Sequence, residues 1–326
     1  MTSIRVGIAS DLIEQLADQR VVVDGRLRGG ATAALDRETA SLITELESLC
    51  EDVVLVAPRR SRVEWERDGP RPRVWLGSRE ITDLHALIVR GTRGVEHEIH
   101  ALVQGLTRAG CVVMDPVDRF RGQRATKIIG TIDRWDARVG TDSWIVGGHA
   151  IDAFLDEADA QELFPMIVKP LRGSRGEGVR LLEHRSAAME ALAAARDAAA
   201  ADRVPLLFQR FVPFKAEWRV TVVNGRSIGV VRRVAPPGVI THNAATGATY
   251  EIAYSPDVAS LAERCHSGPG IVGVDVALAD DGTLHVIEGN WACQWGLFED
   301  TTGVNVARAI ARSLIELIEE RAGTST

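Results

Sequence analysis

A chain of 326 residues with 45% hydrophobic, 25% charged and 5% aromatic side chains has the make-up of an ordinary globular protein, long enough for two or three lobes. Its formal charge of −7 argues against a general nucleic-acid binder, which needs a basic face. No apolar run approaches the roughly 20 residues of a membrane span, "MTSIRVGIASDL" lacks the pattern of a secretory signal, and Cys50, Cys111, Cys265 and Cys293, without CxxC spacing, suit a reducing cytoplasm.

In chain order, the apolar runs "IRVGI" (4–8), "DVVLVA" (52–57), "LHALIVR" (84–90) and "CVVMDP" (111–116) read as buried strands. Between them, "TAALDRETASLITELESLC" places Leu42, Leu46 and Leu49 at helical spacing, and "EIHALVQGLTRAG" gives another helix. Strands alternating with helices predict an open, mostly parallel α/β lobe over residues 1–117. The stretch "RRSRVEWERDGPRPRVW", with Trp65 and Trp75, is expected to cover this lobe as a loop and strand. A helix through "FRGQRATKIIGTIDRW", two strands "PMIVKPL" and "GVRLLEH" joined by a glycine-rich loop, and an Ala-rich helix over 186–203 make a central lobe, 118–203. The third lobe, 204–326, opens with the strand "PLLFQRFV" and continues with two hairpins. The first, "EWRVTVVNGRSIGVVRRV", turns at Asn224-Gly225, and the second, "GIVGVDVALADDGTLHVIEGN", at Asp281-Gly282. The helix "VNVARAIARSLIELIEER" closes the chain.

The stretch "IVKPLRGSRGEGV" (167–179) poses the chemical question. A Walker-type phosphate loop places its lysine after the glycines and feeds a helix, whereas here Lys169 precedes them and the loop joins two strands. Of 38 basic residues only Lys127, Lys169 and Lys215 are lysines. Lysine is a slim point charge that reaches a phosphate where the wide arginine fork does not. An arginine-biased composition also leaves a few lysines by chance, and Lys215 is read that way.

Two acids in the last hairpin narrow the answer. Glu288 and Asn290 are two apart on one strand and point the same way, and folding about Asp281-Gly282 brings Asp275 opposite Glu288. Two carboxylates and an amide oxygen on one face suit a hard cation such as Mg²⁺ bridging phosphates. For either acid alone, an edge-strand carboxylate facing solvent or an arginine is the plainer reading.

Together the segments "IVKPLRGSRGEGV", "LFQRFV", "EWRVTVVNGRSIGVVRR", "GVDVALADDGTLHVIEGN" and "GLFEDTTGVNVARAIA" resemble the successive motifs of the ATP-grasp superfamily. The likeness is to the ribosomal-S6-modification and glutathione-synthetase branch of carboxylate–amine ligases, and it runs in order from about residue 120 to 318. The N-terminal lobe is similar to that branch only in general pattern. The resemblance implies an α/β and α+β fold of the ATP-grasp kind, with ATP and Mg²⁺ (two ions, with Mn²⁺ as an alternative) clamped between the last two lobes. It makes the glycine hairpin, with Ser174 and Gly176, a lid over the phosphates, which Lys127 and Lys169 contact. Gln209, Arg210, Phe211 and Val212 match the adenine-reading hinge, and Glu217 matches a ribose-binding acid. Arg219 and Arg232 match arginines near the transferring phosphate. Asp275, Glu288 and Asn290 match the magnesium ligands, with Asn243 near the same centre. For each arginine taken singly, a surface salt bridge is the default reading.

The reaction so implied is activation of a substrate carboxylate as an acylphosphate, attack by an amine, and release of ADP and phosphate. The substrates would be small-molecule or peptide carboxylates and amines, and the protein cytoplasmic, with a homodimer or higher homo-oligomer as the expected assembly. The chain departs from the branch in three places. Arg210 stands where the hinge usually carries an acid, and Glu217 where aspartate is common. "EGNWACQWG" replaces a small-residue turn, so Trp291, Cys293 and Trp295 either plug the core or shape an acceptor pocket. Arg90 and Arg93 end a strand of the first lobe, where an open α/β sheet places its crevice, and are candidates for a substrate carboxylate. His97 and His100 read as helix-surface residues. Three alternatives stay open: a peptide macrocyclase making side-chain esters or amides, a kinase acting on a hydroxyl, and a nucleotide-binding regulator without chemistry.

Overall fold

The computed structural model describes residues 3–30, 32–114, 126–171, 178–197, 205–234, 248–266, 268–291 and 293–324. Strands β1 (Arg5–Ala9), β2 (Asp52–Val56), β3 (Ala86–Val89) and β4 (Val112–Met114) form a parallel sheet in the order β2-β1-β3-β4. Their near-continuous Val, Ile and Leu runs suit a parallel sheet covered on both faces. Helices α1 (Asp11–Asp18), α2 (Arg37–Glu47) and α3 (Glu96–Ala109) bury their apolar stripes in this core. Side-chain caps start the first two: Ser10 Oγ accepts from the Ile13 amide at 3.1 Å, and Asp36 Oδ1 from the Thr39 amide at 2.7 Å. Leu49, expected in the α2 stripe, lies beyond the Ser48 cap and is exposed. The Trp65–Trp75 stretch forms a small antiparallel sheet, Ser61–Glu64 with Arg73–Leu76 and Arg79–Glu80, beside α3.

Helix α4 (Thr126–Asp136) precedes an antiparallel sheet of β5 (Ser143–Val146), β6 (Met166–Pro170), β7 (Arg180–Leu182) and β8 (Leu206–Arg210), ordered β5-β8-β6-β7. With α5 (Ile151–Ala160) and α6 (Arg185–Asp197) it encloses a separate core that includes Leu155, Met166, Leu182 and Phe208. The expected division at 203/204 gives β8 to the third lobe, but its ladders to β5 and β6 put it in the central sheet, while α4, expected in the central lobe, packs against the strand Leu284–Asn290 of the third lobe. Pairing between strands so distant in sequence leaves no local signal.

The third sheet contains β9 (Phe214–Val223), β10 (Arg226–Val234), β11 (Thr249–Ile252), β12 (Ile271–Ala279) and β13 (Leu284–Asn290), antiparallel in the order β11-β10-β9-β12-β13. Asn224 (φ 48°) and Gly225 (φ 77°) make the two-residue turn expected for the first hairpin. The second turn spans three residues, 280–282, because the Ala279 amide donates to the Thr283 carbonyl at 2.8 Å.

One face of this sheet is apolar: Val220, Val222, Val272, Val274, Val276 and Val286 pack under α7 (Pro256–Cys265). The far half of the other face, with Val223, Val231 and Ile271, shares the core of the first lobe through α8 (Gly296–Thr302) and α9 (Val306–Gly323). Exposed ion pairs, Arg37–Asp300 at 2.7 Å and Arg308–Glu45 at 3.1 Å, mark this seam, although the shared core holds it. Among the described residues no helix is long and apolar enough to cross a membrane.

Candidate active site

The near half of that second face carries charge in place of valine. Strand alternation puts Glu217 and Arg219 of β9, Arg233 of β10, Asp275 of β12, and Glu288 and Asn290 of β13 on one side. Two bulges decide which residues meet there. An unbroken ladder from the Asn224-Gly225 turn would set Arg232 opposite Glu217. Instead Val222 pairs with Ser227 and Thr221 with Gly229, so Ile228 is the extra residue and Glu217 pairs with Arg233. Arg232, expected as a catalytic arginine, pairs with Trp218 on the opposite face and is exposed. Arg233 replaces it at the site. On β13 the extra residue is Ile287, and it brings Glu288 opposite Asp275 as the sequence led us to expect.

The buried charges form a compact network. Arg219 donates to Asp275 twice, Nε to Oδ1 at 2.5 Å and Nη2 to Oδ2 at 3.0 Å. Arg233 Nη1 reaches Glu217 Oε1 at 2.7 Å and Asp275 Oδ2 at 3.1 Å. Burial, the largest single influence, works against the charge on both arginines, but Asp275 and Tyr250, joined at Arg233 by Glu217, together outweigh it and hold both above the ordinary arginine value. Two of the expected roles are therefore occupied in this conformation. Asp275, expected as a metal ligand, has both oxygens on guanidinium groups, and Glu217, expected at a ribose, holds Arg233.

Glu288 and Asn290 differ: among the described residues neither side chain makes a hydrogen bond or ion pair, so their oxygens are open. Lys169 at the end of β6 and Lys127 on α4 both act on Glu288. Burial pulls their ammonium groups below the ordinary lysine value, and Glu288 partly restores them. Lys127 Nζ also donates to the Pro170 carbonyl at 2.6 Å, tying α4 to the base of the glycine segment. Arg134, two helical turns after Lys127, is buried, with Nη2 on Thr131 Oγ1 at 3.0 Å. Burial lowers its pKa, and Cys265 and Glu288 oppose that. Among the described residues five cations (Lys127, Arg134, Lys169, Arg219, Arg233) thus stand against four carboxylates (Asp133, Glu217, Asp275, Glu288), and Lys127, Lys169 and Arg134 all act on Glu288. No group of three or more His, Cys, Asp or Glu that would hold a metal occurs among the described residues. The candidate ligand set is two carboxylates and one amide oxygen.

At the hinge, Gln209 is buried with Nε2 on Ser143 Oγ at 3.0 Å, and the exposed Arg210 faces Asp142 at 3.5 Å. The Phe211 amide donates to the Pro165 carbonyl at 3.1 Å, which leaves the half-buried Phe211 and Val212 side chains at this edge. Ser174, Gly176 and Asn243 lie outside the described residues.

The loop after β13 crosses the charged face at Gly273. A Cβ there would lie 3.0 Å from Cys293 Cβ and collide with Arg219 Nη1, so only glycine permits the crossing. Trp291, expected near substrate, turns to the α7 face and meets His266 edge-on, ring centroids 5.1 Å apart. Trp295 and Cys293 are buried in the first lobe's core instead. Arg90, just past β3, reaches this loop: Nη2 donates to the Cys293 carbonyl at 2.9 Å, and its guanidinium carbon lies 4.3 Å from the Trp295 ring centroid. Arg93 is exposed on the segment before α3.

Residues 145–314, just over half of the chain, match the model of the RimK-like ATP-grasp domain. The chain belongs to the RimK-like ATP-grasp family. Human beta-citrylglutamate synthase B is 31% identical over 176 residues, which cover 52% of this chain but 44% of that protein. This RimK-like chain therefore spans under half the length of the curated relative it matches. Among solved structures, the ATP-grasp ligase PsnB, complexed with precursor peptide PsnA2 and AMPPNP, aligns with TM-score 0.63 at 18% identity, covering 98% of this chain and 99% of PsnB. A RimK domain ATP-grasp protein from Sphaerobacter thermophilus aligns with TM-score 0.61 at 22% identity over 94% and 98% of the two chains. These likenesses establish the ATP-grasp fold. Two site residues of this RimK-like chain escaped the sequence reading. Arg134 had a signal, its seven-residue spacing from Lys127 on one helix face. Arg233 had none, because the bulge that turns it inward carries no sequence mark.

Proposed function

We propose that the protein is an ADP-forming ligase that activates a substrate carboxylate as an acylphosphate and couples it to an amine of an amino acid or peptide. The observation that carries this reading is the convergence of Lys127, Lys169 and Arg134 on Glu288, with Asn290 beside it, a setting suited to a polyphosphate with its cation. Lys127 and Lys169 bind phosphate oxygens, whose charge offsets the burial that lowers both lysines. Phe211 and Val212 border the adenine. Glu288 and Asn290 fit Mg²⁺, being oxygen donors without other partners, and the ion would neutralise charge on the phosphoryl oxygens. These two fit a single ion, and a second needs Asp275 freed from its arginines. Arg219 and Arg233, held on Asp275 and Glu217, stand ready to meet charge that develops on the substrate. That Cys50, Cys111, Cys265 and Cys293 form no disulfide with one another supports a reducing, cytoplasmic setting.

The test is a hydroxylamine trap: protein, Mg·ATP, hydroxylamine, and pools of amino acids, small polycarboxylates and peptides. The peptide pool is included because PsnB was solved with a precursor peptide. A hydroxamate that depends on one pool and disappears in Glu288→Gln establishes carboxylate activation. ADP with a phosphorylated product and no hydroxamate replaces the ligase with a kinase.

A further inference from the structure

Where the end of β3 meets the loop after β13, two buried N–H groups have no acceptor among the described residues: Arg90 Nη1 and Trp295 Nε1. They belong to one stack, with the guanidinium carbon 4.3 Å from the indole centroid. Arg90 is fixed through Nη2 on the Cys293 carbonyl at 2.9 Å, a neutral acceptor that leaves its charge unanswered by any described carboxylate. Trp295 is 1% exposed, so its indole N–H has no bulk water to turn to. Buried donors without acceptors are costly and rare; Arg233 Nε is another among the described residues, but the Nη1 of that guanidinium engages Glu217 and Asp275, whereas Arg90 makes no described ion pair. Arg219 and Arg233 have Asp275 and Glu217, and Trp75 Nε1 donates to Glu64 at 2.9 Å. The unmet pair also stands at the carboxyl end of a parallel strand, where open α/β sheets place their ligand crevice. One residue separates it from the charged face, since Cys293 and Arg219 both crowd the Cβ position of Gly273.

We propose that Arg90 Nη1 and Trp295 Nε1 together bind a second, non-reacting carboxylate of the substrate, beside the site where the first is activated. This rests on the ligase reading. A carboxylate fits because its two oxygens serve donors on two side chains and its charge answers Arg90. The site thereby selects substrates with an anchoring acid group, and an amide or ester in that place leaves both donors unmet.

The test needs neither turnover nor nucleotide, so its failure is separate from failure of the ligase reading. Seven tryptophans give indole signals in a ¹⁵N–¹H spectrum, and Trp295→Phe, which keeps an aromatic ring beside Arg90 but removes the N–H with part of the indole, assigns that of Trp295. The full chain is titrated with sodium succinate, with and without Mg·ADP, against sodium chloride at equal ionic strength and against dimethyl succinate. The expected result is a saturable shift of the Trp295 signal with succinate alone, and a succinate affinity weakened about tenfold or more in Arg90→Gln and Trp295→Phe. An unmoved signal in both states, an equal response to chloride or the diester, or wild-type succinate affinity in folded Arg90→Gln overturns the proposal. Thermal melts of both variants establish that they are folded.

Discussion

The two faces of the third sheet are built from the same strands and obey opposite rules. Under α7, Val220, Val222, Val272, Val274 and Val276 make a dry contact whose members are interchangeable in kind. On the reverse, Glu217, Arg219, Arg233 and Asp275 are buried as ions, each dependent on a particular partner. Apolar packing tolerates small errors because its energy is spread over many weak contacts. A buried ion network fails when one partner is lost, because the other charge stays in place. The strands thus carry folding on one side and chemistry on the other.

The comparison breaks first at Glu288. Glu288→Gln removes the charge on which Lys127 and Lys169 converge, so ATP-dependent hydroxamate formation should fall by more than about a hundredfold, with a small drop in melting temperature as both buried lysines lose that counter-charge. Next come the adjacent arginines. Arg233→Ala should destabilise by about 3–5 kcal/mol in urea denaturation, since Glu217 and Asp275 lose a partner inside the protein. Arg232→Ala, on the exposed face, should leave both stability and activity at wild-type levels. Equal effects from the two would remove the bulge from the argument. Val274→Ala should cost about 2 kcal/mol, with kcat/KM per folded molecule unchanged.

The smallest expected effect lies in the lysines. Burial holds Lys127 and Lys169 below the ordinary value of 10.5, so in the alkaline range beneath that value the unfolded chain binds more protons than the folded one. Stability should therefore rise with pH between the lowered values and 10.5, and below that window the burial penalty is present in full. Lys169→Met should flatten this rise and add slightly to stability at neutral pH. A steeper pH dependence in the variant would reverse the assigned sign.

How much of this was legible in the sequence varied with the distance over which each feature is set. Parallel strands and hairpins announce themselves through local apolar runs and turn residues, and the first-lobe sheet and both hairpins follow. The facing of Asp275 and Glu288 came out right because two departures cancelled: the turn is one residue longer than expected, and Ile287 adds one residue to β13. The matching count on β10 had a bulge at Ile228 and nothing to offset it, so it pointed to Arg232. The sheet that β8 joins depends on partners dozens of residues away. The meeting of Arg90 with Trp295 spans two lobes, and no window of sequence holds both.

The core shared by α8, α9 and the first sheet has a mechanical consequence. The first and third sheets belong to one cooperative unit, with the chain's two ends in the same apolar cluster, whereas the central sheet keeps a core of its own. Lys169 rides on the central piece, whereas α4 with Lys127 packs against β13 and sits with Glu288 and Arg233 on the fixed one. Hydrogen exchange should therefore find the central sheet loosening at lower free energy than the other two.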